Sequence, residues 1–166
     1  YTGDGKGKTT AALGLGLRAA GAGMRVYMAQ FMKKGDFSEV SAVALLAGRF
    51  TIEQFGQDEF YFPGRSDYIR HRETAARGLT RCREVAASRA ADMLILDEAV
   101  HALNYSLITL EELCGILDSA AAHMEIIITG RDAPDILAQM ADLVTEMKEI
   151  KHYYHGGFEA RKGVEF

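Results

Sequence analysis

Cysteine is scarce in this 166-residue chain: Cys82 and Cys114 are the only two. Their separation matches no metal-binding or redox spacing, so each reads as a small buried hydrophobe in a reducing compartment. Long apolar runs are missing as well. No stretch approaches the roughly 18 residues of a membrane span, and the opening residues do not form a signal peptide. Basic charge is not in excess either: 19 Lys+Arg stand against 23 Asp+Glu, a net charge of −4, which argues against a general nucleic-acid binder. No Ser-His-Asp arrangement, HExxH pattern, internal repeat or low-complexity segment is visible. What is there is 48% hydrophobic and 25% charged, enough to bury a core in one domain over residues 1–166 without disulfides or a structural metal. The expectation is a soluble, cytoplasmic, single globular domain with neither a nucleic acid nor a membrane as partner.

Short apolar strands alternate with helical patterns along the chain. Residues 9–20 carry Leu13, Gly16, Leu17 and Ala20 on one helical face, where Gly14 and Gly16 would let the helix pack closely on a sheet. Residues 25–31 and 50–55 read as strands, 33–36 as a polar turn and 38–47 as a short helix. A helical stripe over 67–91 leads to a wholly apolar strand at 93–96. Thr109 and Glu112 form a capping box opening a further helix. Residues 124–129 read as a strand, Pro134 suits a helix start, and 142–147 read as a last strand. This alternation predicts an α/β fold: a mainly parallel sheet with helices on both faces. One strand is missing from the pattern, because a hydrophobic strand should precede the glycine-rich residues 3–7; the first strand is therefore expected to be truncated.

The strongest local signal is Gly3-Asp4-Gly5-Lys6-Gly7-Lys8-Thr9-Thr10. Glycines let backbone N–H groups converge on an anion, a lysine reaches phosphates, a Ser/Thr hydroxyl serves Mg²⁺, and a helix N-terminus faces the same charge. Gly7-Lys8-Thr9 supplies the end of such a Walker A loop, but Thr2 stands where its first glycine belongs. The bland alternative is a flexible terminus that happens to contain GKT. Asp97 and Glu98, ending the apolar strand, form a Walker B-like element able to deliver a carboxylate to Mg²⁺; a solvated strand end is the alternative. Phe60-Tyr61-Phe62, broken by Pro63-Gly64, suggests a loop carrying aromatic faces for a flat ligand, or a satellite cluster packed beneath its own loop, which is the default. Arg65, Arg70, Arg72 and Arg77 read by default as a solvated helix face. His101 follows the acids and falls near the site, His71 and His123 read as structural or surface, and His152 and His155 lack partners at metal-ligand spacing. Nothing stands out as a catalytic base.

The blocks TGDGKGKTTAALGLGLRAAG, VYMAQFMKKG, LILDEAVHALNYSLI, IIITGRDAP and DLVTEMKEIKHYYHGGFEARKGVEF together resemble the P-loop ATP:corrinoid adenosyltransferase family, which includes cob(I)alamin and cob(I)yrinic acid a,c-diamide adenosyltransferases. The resemblance implies a RecA-like P-loop NTPase fold and transfer of the 5′-deoxyadenosyl group of ATP to the Co(I) of a reduced corrinoid, with release of triphosphate. It implies that Gly3, Asp4, Gly5, Lys6, Gly7, Lys8, Thr9 and Thr10 bind a triphosphate held in reverse, that Thr9, Asp97 and Glu98 serve Mg²⁺, and that Arg131 lies near the nucleotide. It further implies an aromatic wedge beneath the corrinoid. Phe60 and Phe62 take that place, with Phe62 where the family has tryptophan, a residue this chain lacks. A homodimer and an electron donor such as a flavoprotein reductase are also implied. Two other readings share the loop: a P-loop ATPase or phosphotransferase, which would need a residue to orient water or a hydroxyl, and a non-catalytic corrinoid or nucleotide sensor.

Overall fold

A computed structural model describes residues 1–46, 48–59, 61–64, 66–120 and 124–166. The elements in chain order are α1 (Lys8–Gly21), β1 (Val26–Phe31), α2 (Ser38–Val43), β2 (Phe50–Phe55), α3 (Tyr68–Ser88), β3 (Met93–Asp97), α4 (Ala99–Asn104), α5 (Leu110–Ala120), β4 (Glu125–Ile128) and α6 (Asp135–Met140), followed by a 3₁₀ turn at Tyr153–Gly156. The four strands form one sheet in the order β2-β1-β3-β4, every pair parallel. The chain is α/β, as the alternating pattern predicts.

Strand periodicity sorts the core into two layers. Val26 and Met28 of β1 and Met93 and Ile95 of β3 pack with Ala12 and Ala19 of α1 on one face. Tyr27, Ala29 and Phe31, with Leu94 and Leu96, pack against Leu79 and Cys82 of α3 and Leu113 and Ile116 of α5 on the other. Both central strands are buried along their whole length, as two-sided parallel strands must be. Of Gly14 and Gly16 in α1, only Gly16 meets the sheet: a Cβ there would lie 2.6 Å from the Phe50 ring, whereas Gly14 faces open space. The capping box forms as expected, Glu112 N donating to Thr109 Oγ1 at 3.1 Å and Thr109 N to Glu112 Oε2 at 2.8 Å. Among the described residues no helix is long and apolar enough to cross a membrane.

Three expectations need correction. The helix predicted over 38–47 ends at Val43, and Ala47 lies outside the described residues. A short helix, α4, follows Glu98 where none was expected. Residues 142–147 do not form a strand; they make one parallel bridge, Glu146 to Thr2. Thr2 N donates to Thr145 O at 3.0 Å and Met147 N to Thr2 O at 2.8 Å, while Gly130 N donates to Tyr1 O. Tyr1 and Thr2 therefore lie between the end of β4 and residues 145–147. Among the described residues this single bridge is all the pairing that 142–147 makes, and Leu143 and Val144 are exposed.

Parallel strands bring their C-terminal ends to one edge, where ligands of open α/β sheets bind. The glycine-rich loop, Met32 after β1, Glu98 after β3 and Asp132 beyond β4 all gather there. Met32, Glu98 and Asp132 each adopt a left-handed backbone, φ 59°, 57° and 53°. Non-glycine residues rarely do so, at an energy of order 1 kcal/mol or more, and such strain concentrates at functional edges.

Candidate functional site: a phosphate loop, a buried carboxylate hub and an aromatic loop

Gly7, at φ 117°, turns the chain into α1 as its N-cap without any side-chain cap. The first N–H groups of the helix consequently point out of its end with no intrahelical partner, an arrangement that favours anions. Lys8 opens the helix and is only 6% exposed. Its Nζ curls back to donate to Gly3 O at 2.6 Å and Gly5 O at 2.7 Å, which leaves one of three ammonium hydrogens for a further acceptor. Burial, reinforced by the nearby Arg131 charge, pulls the Lys8 ammonium below its usual range. A buried cation with a hydrogen to spare is well suited to a highly charged anion.

Thr9 connects this loop to β3. Its Oγ1 donates to Asp97 Oδ1 at 2.8 Å, and Asp97 is fully buried. Thr129 Oγ1 also donates to Oδ1 (2.7 Å), while Lys33 Nζ (2.8 Å) and Gln30 Nε2 (3.3 Å) donate to Oδ2. A buried carboxylate is tolerable only when paired and hydrogen-bonded, and four donors from four segments make Asp97 the hub of the site. Glu98 turns away from it: its N donates to Thr129 Oγ1 at 2.9 Å, and its Oε2 lies 3.0 Å from His101 Nδ1. Burial pushes the Glu98 carboxyl up, but His101, Lys33 and Lys8 more than offset this and hold it below the usual carboxylate range.

The structure divides the remaining loop residues. Thr2, the departure from a regular loop, accepts from Ala133 N at 3.1 Å and so ties the loop to the segment after β4. Asp4 accepts from Glu149 N at 3.0 Å, and that hydrogen bond holds its carboxyl below the usual range; its charge serves the 147–149 segment, not the cleft. Lys6 Nζ reaches the chain's last residues, donating to Tyr153 Oη (2.9 Å), Val164 O (2.9 Å) and Glu165 Oε1 (2.7 Å). Gly5, Lys6, Gly7, Lys8, Thr9 and Thr10 line a cavity of about 450 Å³ that Arg131 also borders, facing Lys33, Ser38 and residues 163–166.

The aromatic loop is split. Phe60 and Arg65 lie outside the described residues. Tyr61 is 4% exposed and packs among Tyr68, His71 and Tyr105, with ring centroids 5.9, 5.1 and 6.0 Å away, whereas Phe62 is 56% exposed. The satellite-cluster reading therefore holds for Tyr61, and an outward face remains for Phe62. Tyr105 in turn meets His101 edge-on at 4.9 Å, so a line of rings joins the aromatic loop to the partner of Glu98. Arg72 pairs with Glu112 at 2.7 Å, joining α3 to α5, and Arg77 donates to Thr74 Oγ1 at 2.9 Å within α3. His123 also lies outside the described residues.

Sequence reasoning missed Lys33, Gln30 and Thr129 as members of the hub. Lys33 read as part of a polar turn and the other two as strand residues. The available signal was a glutamine inside an otherwise apolar strand and a threonine ending another, since buried polar side chains need partners. The hydroxyl of Thr9 and the carboxylate of Asp97, 2.8 Å apart, are hard oxygen donors of the kind Mg²⁺ takes, while the Glu98 carboxylate faces His101.

Comparison with known proteins gives the same direction. The chain matches the model of the family described as ATP:corrinoid adenosyltransferase BtuR/CobO/CobP over residues 1–166. It is 34% identical over 173 residues to a corrinoid adenosyltransferase of Sinorhizobium sp, covering 99% of this chain and 78% of that protein. It is 33% identical to the corrinoid adenosyltransferase of Escherichia coli K12, covering 100% and 83%. The corrinoid adenosyltransferase CobA of Salmonella typhimurium is 30% identical, with the same coverage.

Proposed function

Because this chain belongs to the ATP:corrinoid adenosyltransferase family, we propose that its loop and hub bind ATP as a leaving group in waiting: the triphosphate lies on the loop, and C5′ of the ribose is left open to cobalt. The chain is an ATP:corrinoid adenosyltransferase of the P-loop type, and the roles of its individual residues are our inference. In the transfer, the electron pair of Co(I) forms the Co–C5′ bond, the C5′–O bond breaks, and triphosphate leaves with that bond's electrons. No proton moves, so no general base is needed. What the protein supplies is stabilisation of the charge that develops on the departing triphosphate.

The observation that carries this reading is the convergence of Lys8, Thr9 and Asp97. A buried ammonium with one hydrogen left, the open end of α1 and a hydroxyl oriented by a buried carboxylate meet at one point. Lys8, the backbone N–H groups of residues 6–10 and Arg131 would take the phosphate oxygens. Thr9 and Glu98, with Asp97 behind Thr9, would hold Mg²⁺, whose contribution is to neutralise phosphate charge. Phe60 and Phe62 would lie beneath the corrinoid, displacing its lower axial base and easing reduction of Co(II) to Co(I). By family resemblance alone, the electron donor is a partner such as a flavoprotein reductase and the assembly a homodimer. The test is an anaerobic reaction of Mg-ATP with chemically reduced cob(I)alamin, following the corrinoid spectrum and the phosphate products together. Adenosylcobalamin and triphosphate are expected one for one. Steady phosphate release from ATP with no adenosylation would overturn the reading in favour of a P-loop hydrolase.

A further inference from the structure

His152 and residues 163–166 line the cavity across from the glycine-rich loop. The last five residues, Lys162-Gly-Val-Glu-Phe166, are folded around one side chain. Glu165 accepts from Arg161 N at 2.6 Å, pairs with Arg161 Nε at 3.4 Å and accepts from the Tyr153 hydroxyl. Arg161 also stacks over the Tyr153 ring, 4.9 Å from its centroid. This small knot is tied to both banks of the cleft. Lys6 grips it from the phosphate loop through three hydrogen bonds, and Ser38 Oγ, at the start of α2, donates to Phe166 O at 2.9 Å.

The chemistry of the two banks differs. The loop bank offers cations and N–H groups. The tail bank offers Gly163, the side chains of Val164 and Phe166, which are partly exposed, and a carboxylate whose charge is already answered by Lys6 and Arg161. Leu13 adds a further apolar contribution to the same cavity. A carboxylate would repel triphosphate, whereas apolar side chains and backbone suit a flat heteroaromatic base. All three Lys6 hydrogens are engaged by the tail, so its side chain has none left for a phosphate oxygen.

We propose that residues 152–166 are the wall that encloses the nucleoside half of ATP, and that Lys6 and Glu165 are its positioning pair, with the Lys6 side chain no phosphate ligand. The inference rests on the reading that this cleft takes ATP. Two probes separate the halves of the ligand: Mg-ATP and Mg-tripolyphosphate, titrated calorimetrically into the full chain. Glu165→Gln keeps the Lys6 cation and breaks the pair. It is expected to weaken ATP about tenfold, the scale of a lost charge-assisted contact, and to change tripolyphosphate less than about twofold. In turnover, KM for ATP should rise with kcat little changed, and Lys6→Met should raise KM similarly, with Lys6→Arg restoring most of the loss. If Glu165→Gln instead tightens both ligands, Lys6 is a phosphate ligand held back by its partner and the proposal falls. Equal affinities for ATP in the variant and the parent would overturn it as well. A separate readout needs no nucleotide: tryptic cleavage after Arg161 and Lys162 should quicken about tenfold in Glu165→Gln, and unchanged cleavage contradicts the positioning role. If the parent chain binds neither probe, the ATP reading itself fails and the wall loses its ligand.

Discussion

The two ends of the proposed site are built in opposite ways. Around Asp97, four donors from β1, the loop after β1, the residue after β4 and the start of α1 converge on one buried carboxylate, so each group there is held by several others. Around Tyr61 there are rings: one buried tyrosine among Tyr68, His71 and Tyr105 fastens a loop whose neighbouring Phe62 stands in solvent. Under the proposed function, the difference suits the two substrates. A triphosphate leaving group needs charges fixed in advance, because preorganised dipoles stabilise developing charge without rearrangement. A corrinoid needs a broad apolar face, and the cobalt nucleophile needs no help from a base.

The comparison can be broken most severely at Lys8. Lys8→Ala removes the buried cation from the loop and should lower kcat/KM about 10²- to 10³-fold, the range for a lost preorganised donor, whether the corrinoid is supplied as Co(I) or Co(II). Turnover within a few-fold of the parent would disconnect the loop from the chemistry. Asp97→Ala tests whether the hub holds the fold as well as the site. It strands Lys33, whose side chain is 15% exposed, and should cost about 3 kcal/mol by chemical denaturation, the lower end for breaking a buried pair. A loss below 1 kcal/mol would mean that the convergence is incidental. Tyr61→Ala acts on the other end: loss of about 3 kcal/mol is again expected, as for other buried aromatics, while Mg-ATP affinity by calorimetry stays unchanged. An equal loss of ATP affinity would erase the contrast between the two ends.

The smallest effect belongs at the opposite edge of the sheet, where Arg25 and Asp92 pair at 2.8 Å beside the starts of β1 and β3. Arg25 holds the Asp92 carboxyl at about 2, below its ordinary 3.8. A depressed carboxyl stabilises the fold above its unfolded value and loses that contribution as pH falls towards its folded value. Asp92→Asn should therefore flatten the fall in Tm between roughly pH 4 and pH 2, and adenosylation from either cobalt state should be unchanged. An altered activity would show that the two ends of the sheet are not independent.

Much of this was legible in the sequence, for physical reasons. Strands 26–31 and 93–97 are buried on both faces, so their largely apolar runs marked a parallel sheet. Gly7-Lys8-Thr9 and Asp97-Glu98 are short motifs whose meaning is local, and the structure brings Thr9 and Asp97 into contact across 88 residues. What escaped was set by distant partners. Residues 142–147 read as a strand, but among the described residues they make only one bridge, Glu146 to Thr2. Lys6 and Lys8 stand two residues apart on one glycine-rich loop, and the family resemblance implied that both bind triphosphate. Tertiary contacts separate them, Lys8 inward to Gly3 and Gly5, Lys6 outward to Glu165. Gln30 and Thr129 gave no signal beyond a polar residue in an apolar strand.

The division between the two ends is tested most directly by one ratio: the adenosylation rate starting from Co(II), with an excess of reductant, over the rate starting from pre-reduced Co(I). It is measured anaerobically for the parent, Lys8→Ala and Phe60→Ala. The account predicts that Lys8→Ala slows both reactions together and leaves the ratio unchanged, while Phe60→Ala lowers the ratio about tenfold or more, some 1.4 kcal/mol, by slowing only the reaction that begins at Co(II). A Phe60→Ala ratio equal to the parent's, or a Lys8→Ala defect confined to one starting state, would contradict it.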